Sequence, residues 1–305
     1  MDRILLIDAH NAMHRANVSF GKPIAHEICN NADHSDKHPI SIHCKCGAAW
    51  SGDEDFCYGD KYLIVYNFFR NLRPLIELFE PDKCFFVLEG HPQFRYDLFS
   101  DYKANRIIKT ASKQDARDKF FIARDIIVSL LKYLPITSAR AAEYEADDVI
   151  ATLCDNMKDE DLTVISNDSD YIQLLQRGYK NINIYNPIKK ESMVAPTYPY
   201  VAWKCLNGDK SDNIPSILKP KKAIDTVSSV DIFKKFMEVE ENRANFNINR
   251  QLIEFRNVPA DDISLVEGTK DFISLKDEFS KMKFESIVND TSWNKYTKTF
   301  NCIKY

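Results

Sequence analysis

No stretch of this sequence is apolar for long enough to span a membrane. The N-terminal run RILLI stops at Asp8, far short of the roughly 20 apolar residues a spanning helix needs. Neither signal peptide nor anchor is expected, and a cytoplasmic location follows from that. Basic charge is not in excess either: the formal net charge is −4, which argues against a bulk electrostatic grip on nucleic acid. Glycine is scarce, with 8 among 305 residues, and no Gly/Pro/Ser-rich linker, internal repeat or low-complexity tract divides the chain. No secretory context supports a disulfide framework for the eight cysteines. Cys84, Cys154, Cys205 and Cys302 are scattered and read as buried or incidental thiols, whereas Cys29, Cys44, Cys46 and Cys57 crowd one segment.

What is present is an alternation of elements. Four β-rich runs, RILLI (3–7), CFFVL (84–88), LTVIS (162–166) and NINIY (181–185), read as buried strands. Between them, apolar periodicity at about 61–79, 116–134 and 145–157 predicts helices. Such alternation predicts an α/β fold with a parallel or mixed central sheet and helices on both faces. After about residue 195 the strand signal fades into helical patterning, so a principal domain over 1–195 and a smaller helical C-terminal region over 196–305 are expected.

Acidic residues gather where such folds place ligands, beyond the carboxyl ends of strands. Asp8 follows RILLI, Glu89 follows CFFVL, and Asp168 and Asp170 follow LTVIS. Glu145, Asp147 and Asp148 open the run EYEADDVIATL, and Asp209 and Asp212 lie in GDKSDNIP. Helix capping would explain one or two acids in a first turn, and any single acid reads equally well as a solvated carboxylate. A crowd of them stays ionised only with cations in between. Oxygen donors without Cys or His partners favour Mg²⁺ or Mn²⁺ over zinc, and nine acids suit two ions about 4 Å apart, the spacing of phosphodiester-cleaving sites.

The charge is segregated along the chain. Residues 91–125 carry Arg95, Lys103, Arg106, Lys109, Lys113, Arg117, Lys119 and Arg124. In RYDLFSDYKANR, bases and aromatics interleave, a pattern that neutralises phosphates and stacks on nucleobases irrespective of sequence. If 100–106 is helical, Lys103 and Arg106 share a face and both could meet a scissile phosphate. A solvated amphipathic loop is the plain alternative.

Five blocks in order, LLIDAHNAMHR, FRYDLFSDYKANR, YEADDVIATL, SNDSDYIQLL and GDKSDNIP, resemble the signatures of the 5′-nuclease superfamily (flap endonucleases and 5′→3′ exonucleases) with its PIN-like fold. The resemblance covers about 1–216 apart from an insertion near 21–60. Chain length and C-terminal pattern are most similar to the T-even-phage ribonuclease H branch.

The resemblance implies a two-metal nuclease. Asp8, Glu89, Glu145, Asp147, Asp148 and Asp168 would hold the first Mg²⁺ directly or through water, and Asp170, Asp209 and Asp212, with Asp168 shared, the second. Glu89 stands where the family usually has aspartate. Lys103 and Arg106 would act at the scissile phosphate, and Arg95, Tyr102, Lys103 and Arg106 would contact the strand at an arch over about 91–125. Expected substrates are DNA and RNA–DNA duplexes with 5′ ends or flaps, cut to a 5′-phosphate and a 3′-hydroxyl. The implied role is RNase H-type primer removal in phage lagging-strand replication, in the host cytoplasm if phage-encoded. A monomer is expected, with a single-stranded-DNA-binding protein or sliding clamp as possible partners.

Two departures stand out. After GDKSDN the family's glycine-rich helix-hairpin-helix gives way to IPSILKPKKA, where Lys219, Lys221 and Lys222 would hold duplex phosphate by charge alone. The stretch 26–57 holds His26, Cys29, His34, His38, His43, Cys44, Cys46 and Cys57. Structural zinc on Cys29, Cys44, Cys46 and Cys57 is one reading of it, and unliganded thiols are the other. Two further readings compete with nuclease. In a phosphatase with Asp8 as nucleophile, a second aspartate two positions later would be usual, and position 10 is His. A non-catalytic flap-binding member of the same fold would have no need to keep its acids. RNA-processing PIN nucleases, a remaining variant, usually lack the YKANR block.

Overall fold

A computed structural model describes residues 1–18, 62–106 and 110–304; the zinc expectation on Cys29, Cys44, Cys46 and Cys57 lies outside them. The elements run β1 (Arg3–Asp8), α1 (Ala9–Val18), α2 (Leu63–Phe79), β2 (Lys83–Leu88), α3 (Gln93–Leu98), α4 (Ala111–Leu131), β3 (Thr137–Ala141), α5 (Ala146–Asn156), β4 (Asp161–Ile165), α6 (Ile172–Leu175), β5 (Ile182–Asn186) and β6 (Glu191–Ser192). They continue as α7 (Tyr200–Asn207), α8 (Pro220–Val227), α9 (Val230–Glu238), α10 (Glu240–Ile253), β7 (Ile263–Glu267), α11 (Phe272–Lys281), α12 (Glu285–Val288) and α13 (Asp290–Thr299). The strand order is β6-β5-β4-β1-β2-β3-β7. The four strands and three helices expected from apolar runs are all present.

Three strands were not expected: β3, the two-residue β6, and β7 in the otherwise helical C-terminal region. β5 runs parallel to β4, with Leu162 opposite Ile182 and Val164 opposite Ile184, and antiparallel to β6, so the sheet is mixed.

The chain forms two compact units, one of Met1, 87–108 and 140–264, the other of 2–86, 109–139 and 265–305. The units interleave along the chain, and the compositional boundary near 195 falls inside the first. In the second unit, Val65, Phe68, Phe69, Leu72, Leu75 and Ile76 of α2 are buried at helical spacing. Each fully buried large side chain contributes about 1.5–3 kcal/mol. Phe69, Phe279, Phe284, Tyr296 and Phe300 pack ring on ring beneath it. The helix ends at Glu80, in the left-handed region at φ 40°.

In the first unit α5 is buried over most of its circumference, from Ala146 through Cys154, as expected of a central helix. Thr152 anchors its middle, accepting from the Val258 N–H at 2.9 Å and donating to the Asp148 carbonyl at 2.9 Å. A second core joins Cys205, Leu206, Ile214, Ala223, Val227, Phe246, Leu252 and Ile253 with Tyr102. It gathers α7, α8 and α10 around the base of the YKANR segment. Gly208, at φ 73°, closes α7 where a Cβ would lie 2.6 Å from the Ile214 and Pro215 carbonyl oxygens. Only glycine fits that approach, and it sets the turn carrying Asp209 and Asp212.

Candidate metal centre

Glu145, Asp147 and Asp148 open α5, and their carboxylate oxygens lie within 4.8 Å of one another. Part of the crowding is capping: Glu145 is the N-cap of α5 and forms a capping box with Asp148. Capping leaves Asp147 unexplained. Its own carboxylate accepts the Asp148 N–H at 2.7 Å. Burial, then the charges of Asp148 and Glu145, push its carboxyl well above the usual carboxylate range.

Arg95 of α3 holds the other two. Its guanidinium donates to Asp148 Oδ2 and Oδ1 at 2.7 and 2.8 Å and to Glu145 Oε2 at 2.7 Å. The Arg256 N–H adds a bond to Asp148 Oδ1 at 2.8 Å, and the Glu145 N–H one to Oδ2 at 3.3 Å. The four acceptor sites of Asp148 are thereby filled, so this acid positions its neighbours and would meet an ion through water. Arg95 is 1% exposed. The expected contact with a nucleic-acid strand needs an accessible guanidinium, and this one is buried among carboxylates.

The arch residues turn inward as well. Tyr102 is 2% exposed, and its hydroxyl donates to Glu145 Oε2 at 2.9 Å and Asp212 Oδ2 at 3.3 Å. Burial and those two carboxylates push the phenol up, and no face is open for a base to stack on. Lys103 adopts φ 55°, so 100–106 is not one helix; a turn leads into a short 3₁₀ segment, Ala104–Arg106. The Lys103 ammonium pairs with Glu145 and lies 3.8 Å from Asp212, while Arg106 donates to Asp212 Oδ1 at 2.5 Å.

Backbone contacts hold this segment against the acidic turn. The Lys103 N–H donates to the Asp212 carbonyl at 2.9 Å, Asn105 Nδ2 to the Lys210 carbonyl at 2.8 Å, and Asn213 Nδ2 to the Asp101 carbonyl at 2.9 Å. YKANR and GDKSDN, over 100 residues apart in sequence, thus form one local structure.

A further cluster lies beyond β4. Asp168 caps the 3₁₀ turn Ser169–Tyr171 by accepting the Asp170 N–H at 2.9 Å, and burial raises its carboxyl. The ammonium of Lys204, on α7, pairs with Asp170 and sits 2.8 Å from Asp209 Oδ2. Asp209 also accepts from the Ser211 N–H and hydroxyl at 2.7 Å each. Burial opposes its ionisation, but Lys204 and these bonds outweigh it and lower the pKa. Lys204 was not expected from the sequence. In YVAWKCLN it reads as the polar edge of an amphipathic helix, and its place five residues before Asp209 is the sole signal.

Glu89 reaches α5 from the end of β2, accepting the Ala146 N–H at 3.0 Å. Asp8 closes β1 in the second unit, buried and accepting the Asn11 N–H at 3.0 Å. Lys219, Lys221 and Lys222 are exposed at the start of α8. The donor set fits a hard divalent cation: it is all oxygen, Asp147 and Asp168 are strained toward protonation by burial and like charge, and Lys103 and Lys204 ammoniums lie among the acids as stand-in cations.

The family described as 5′-3′ exonuclease, N-terminal resolvase-like domain, matches residues 3–201. The 5′-3′ exonuclease of Bacillus subtilis (strain 168) is 30% identical over 197 residues, 60% of this chain and 62% of the relative. DNA polymerase I of Streptococcus pneumoniae (strain ATCC BAA-255 / R6) is 31% identical over 170 residues, 51% of this chain but 18% of the polymerase. The chain therefore spans less than two thirds of these relatives. Among solved structures, the flap endonuclease-1 of Methanococcus jannaschii superposes with TM-score 0.60 at 13% identity, covering 99% of this chain and 93% of that one. The bacteriophage T5 flap endonuclease, in complex with DNA and metal ions, gives 0.55 at 15%, covering 98% and 97%. These likenesses establish the fold: a PIN-like mixed sheet with a helical C-terminal region. With the family model matching residues 3–201, about two thirds of its length, the chain belongs to the 5′-3′ exonuclease family of the 5′-nuclease superfamily.

Proposed function

We propose that this chain is a divalent-metal-dependent 5′→3′ exonuclease and flap endonuclease acting on duplexes with 5′ ends or flaps. The observation that carries the reading is the convergence of Glu145, Asp147 and Asp148 within 4.8 Å, with Lys103 paired onto Glu145 and Arg106 onto Asp212. Glu89, Glu145, Asp147 and Asp168, with Asp148 through water, would hold one cation, Mg²⁺ or Mn²⁺, and Asp168, Asp170, Asp209 and Asp212 a second. Bound there, such ions supply an ionised water for in-line attack and charge for the leaving oxygen.

The remaining work falls to the chain itself. Arg95 keeps Asp148 and Glu145 in one orientation through three charge-assisted bonds. Lys103 and Arg106 can exchange their carboxylate partners for the scissile phosphate and stabilise its developing charge. The exposed lysines of α8 hold duplex phosphates without reading sequence. Because the attack is on phosphorus, RNA-primed 5′ ends fall within the same chemistry. RNase H activity and primer removal in phage lagging-strand replication are the finer form of the proposal. Docking of a single-stranded-DNA-binding protein or sliding clamp rests on the resemblance alone.

Product mapping tests the reading, using single strand, nicked duplex, 5′ flap and RNA-primed duplex, each with Mg²⁺ or with EDTA. Mg²⁺-dependent products released from the 5′ side, lost in an Asp147→Asn, Asp168→Asn double variant, are expected. Binding of the flap without any cleavage would replace the nuclease with a non-catalytic junction binder.

A further inference from the structure

Helix α1 carries a pair of metal-ligating side chains of a different kind from the carboxylates. His10 and His14 stand four apart on this helix, the spacing that brings two side chains together on one face. Their Nε2 atoms lie 2.8 Å apart, with ring centroids at 4.3 Å and planes at 71°. Phe120 of α4 orients both: His14 stacks on it at 4.4 Å with planes 19° apart, and His10 meets it edge to face at 5.7 Å. Phe120 is itself buried, while His14 is exposed and His10 half-buried. The two nitrogens therefore converge at a point that solvent can reach.

Neutral imidazole nitrogen is the preferred donor of borderline transition ions, whereas Mg²⁺ prefers oxygen. Zinc–nitrogen bonds of 2.0–2.1 Å at a tetrahedral angle separate two ligand atoms by about 3.3 Å. The rings need part by only about half an ångström to admit an ion. We propose that His10 and His14 form a binding site for a divalent transition ion of the Zn²⁺, Ni²⁺ and Cu²⁺ class, held by their two Nε2 atoms. Among the described residues, the carboxylate trio is the one place where three or more such ligands converge, and within that set the clip offers two ligands. Its donor chemistry separates it from the oxygen centre, although α1 begins at the residue after Asp8.

The test uses the full chain with ¹⁵N-labelled histidine, titrated with Zn²⁺ in the presence of excess Mg²⁺, reading the ring nitrogens. His10→Ala and His14→Ala assign the two resonances among the seven histidines. The Nε2 signals of His10 and His14 are expected to move together and saturate together. Loss of a supporting group beyond the ligands already costs metal sites about 10–100-fold, so His14→Ala should weaken the His10 response by more than about tenfold. His14 is exposed, and circular dichroism will show whether that variant folds. Resonances that stay still while zinc binds elsewhere in the chain would overturn the site, as would a His10 response of unchanged affinity in His14→Ala. Either result would leave the contact as a hydrogen bond between two imidazoles.

Discussion

Arg95 and Asp148 meet side by side, two guanidinium nitrogens on two carboxylate oxygens at 2.7 and 2.8 Å, with the residues 1% and 0% exposed. Burying both charges is tolerable because each is paired and hydrogen-bonded. Removing one partner is a different matter. Arg95→Met is expected to cost about 3–5 kcal/mol in urea denaturation, because Asp148 and Glu145 are left buried without a cation. Arg95→Met combined with Asp148→Leu should cost less than Arg95→Met alone. A single-variant loss below about 1 kcal/mol would mean that the pair is solvated and does not hold the site.

Lys204 predicts a competition. Its ammonium sits on Asp170 and Asp209 and must leave those oxygens before another cation takes them. Lys204→Met should therefore bind Mg²⁺ more tightly, by about tenfold, or about 1.4 kcal/mol, in a calorimetric titration. Unchanged or weaker binding would mean that Lys204 supports the ion instead of excluding it.

A pH dependence arises at Asp82. The Arg3 N–H at 2.9 Å and the Lys304 ammonium at 2.9 Å depress its carboxyl well below the ordinary 3.8. A depressed pKa contributes stability above the unfolded value and loses it as pH falls toward the folded one. Asp82→Asn should thus destabilise the protein at neutral pH by about 1 kcal/mol, a modest figure because Lys304 is largely exposed. The gap between wild type and variant should narrow as pH drops below about 4. A gap that is the same at pH 7 and at acid pH would contradict the linkage.

The lysines of α8 make a salt prediction. If Lys219, Lys221 and Lys222 hold three phosphates, replacing all three by Ala should flatten the plot of log affinity against log salt by about 2–3 units. Duplex binding measured at several salt concentrations checks it. A slope equal to wild type would return this loop to plain surface.

The sequence made some of this legible and hid the rest for physical reasons. RILLI, CFFVL, LTVIS and NINIY announce themselves because buried strands are continuous apolar runs. TSARA, which forms β3, mixes polar and small residues and offers no such run. ISLVE, which forms β7, is mostly exposed and lies in a segment otherwise patterned for helix. Among the acids, position along the chain nominates the candidates, since strand ends and helix starts are local signals.

The basic residues were harder to place, because exposure is not written in sequence. Arg95 and Tyr102 have the composition of a nucleic-acid contact, yet both turn inward onto Glu145, 50 and 43 residues away. Lys204 was missed for the same reason: its partners come from two other segments of the chain.

The most direct test of the central claim is a calorimetric Mg²⁺ titration of the wild type against Asp147→Asn, Asp168→Asn, run beside flap cleavage by the same preparations. Burial raises the carboxyls of Asp147 and Asp168 above the usual carboxylate range, so cations should relieve them. The account predicts measurable Mg²⁺ binding in the wild type and its loss, together with cleavage, in the variant. Equal Mg²⁺ binding by both proteins would contradict the assignment of these carboxylates as the metal centre.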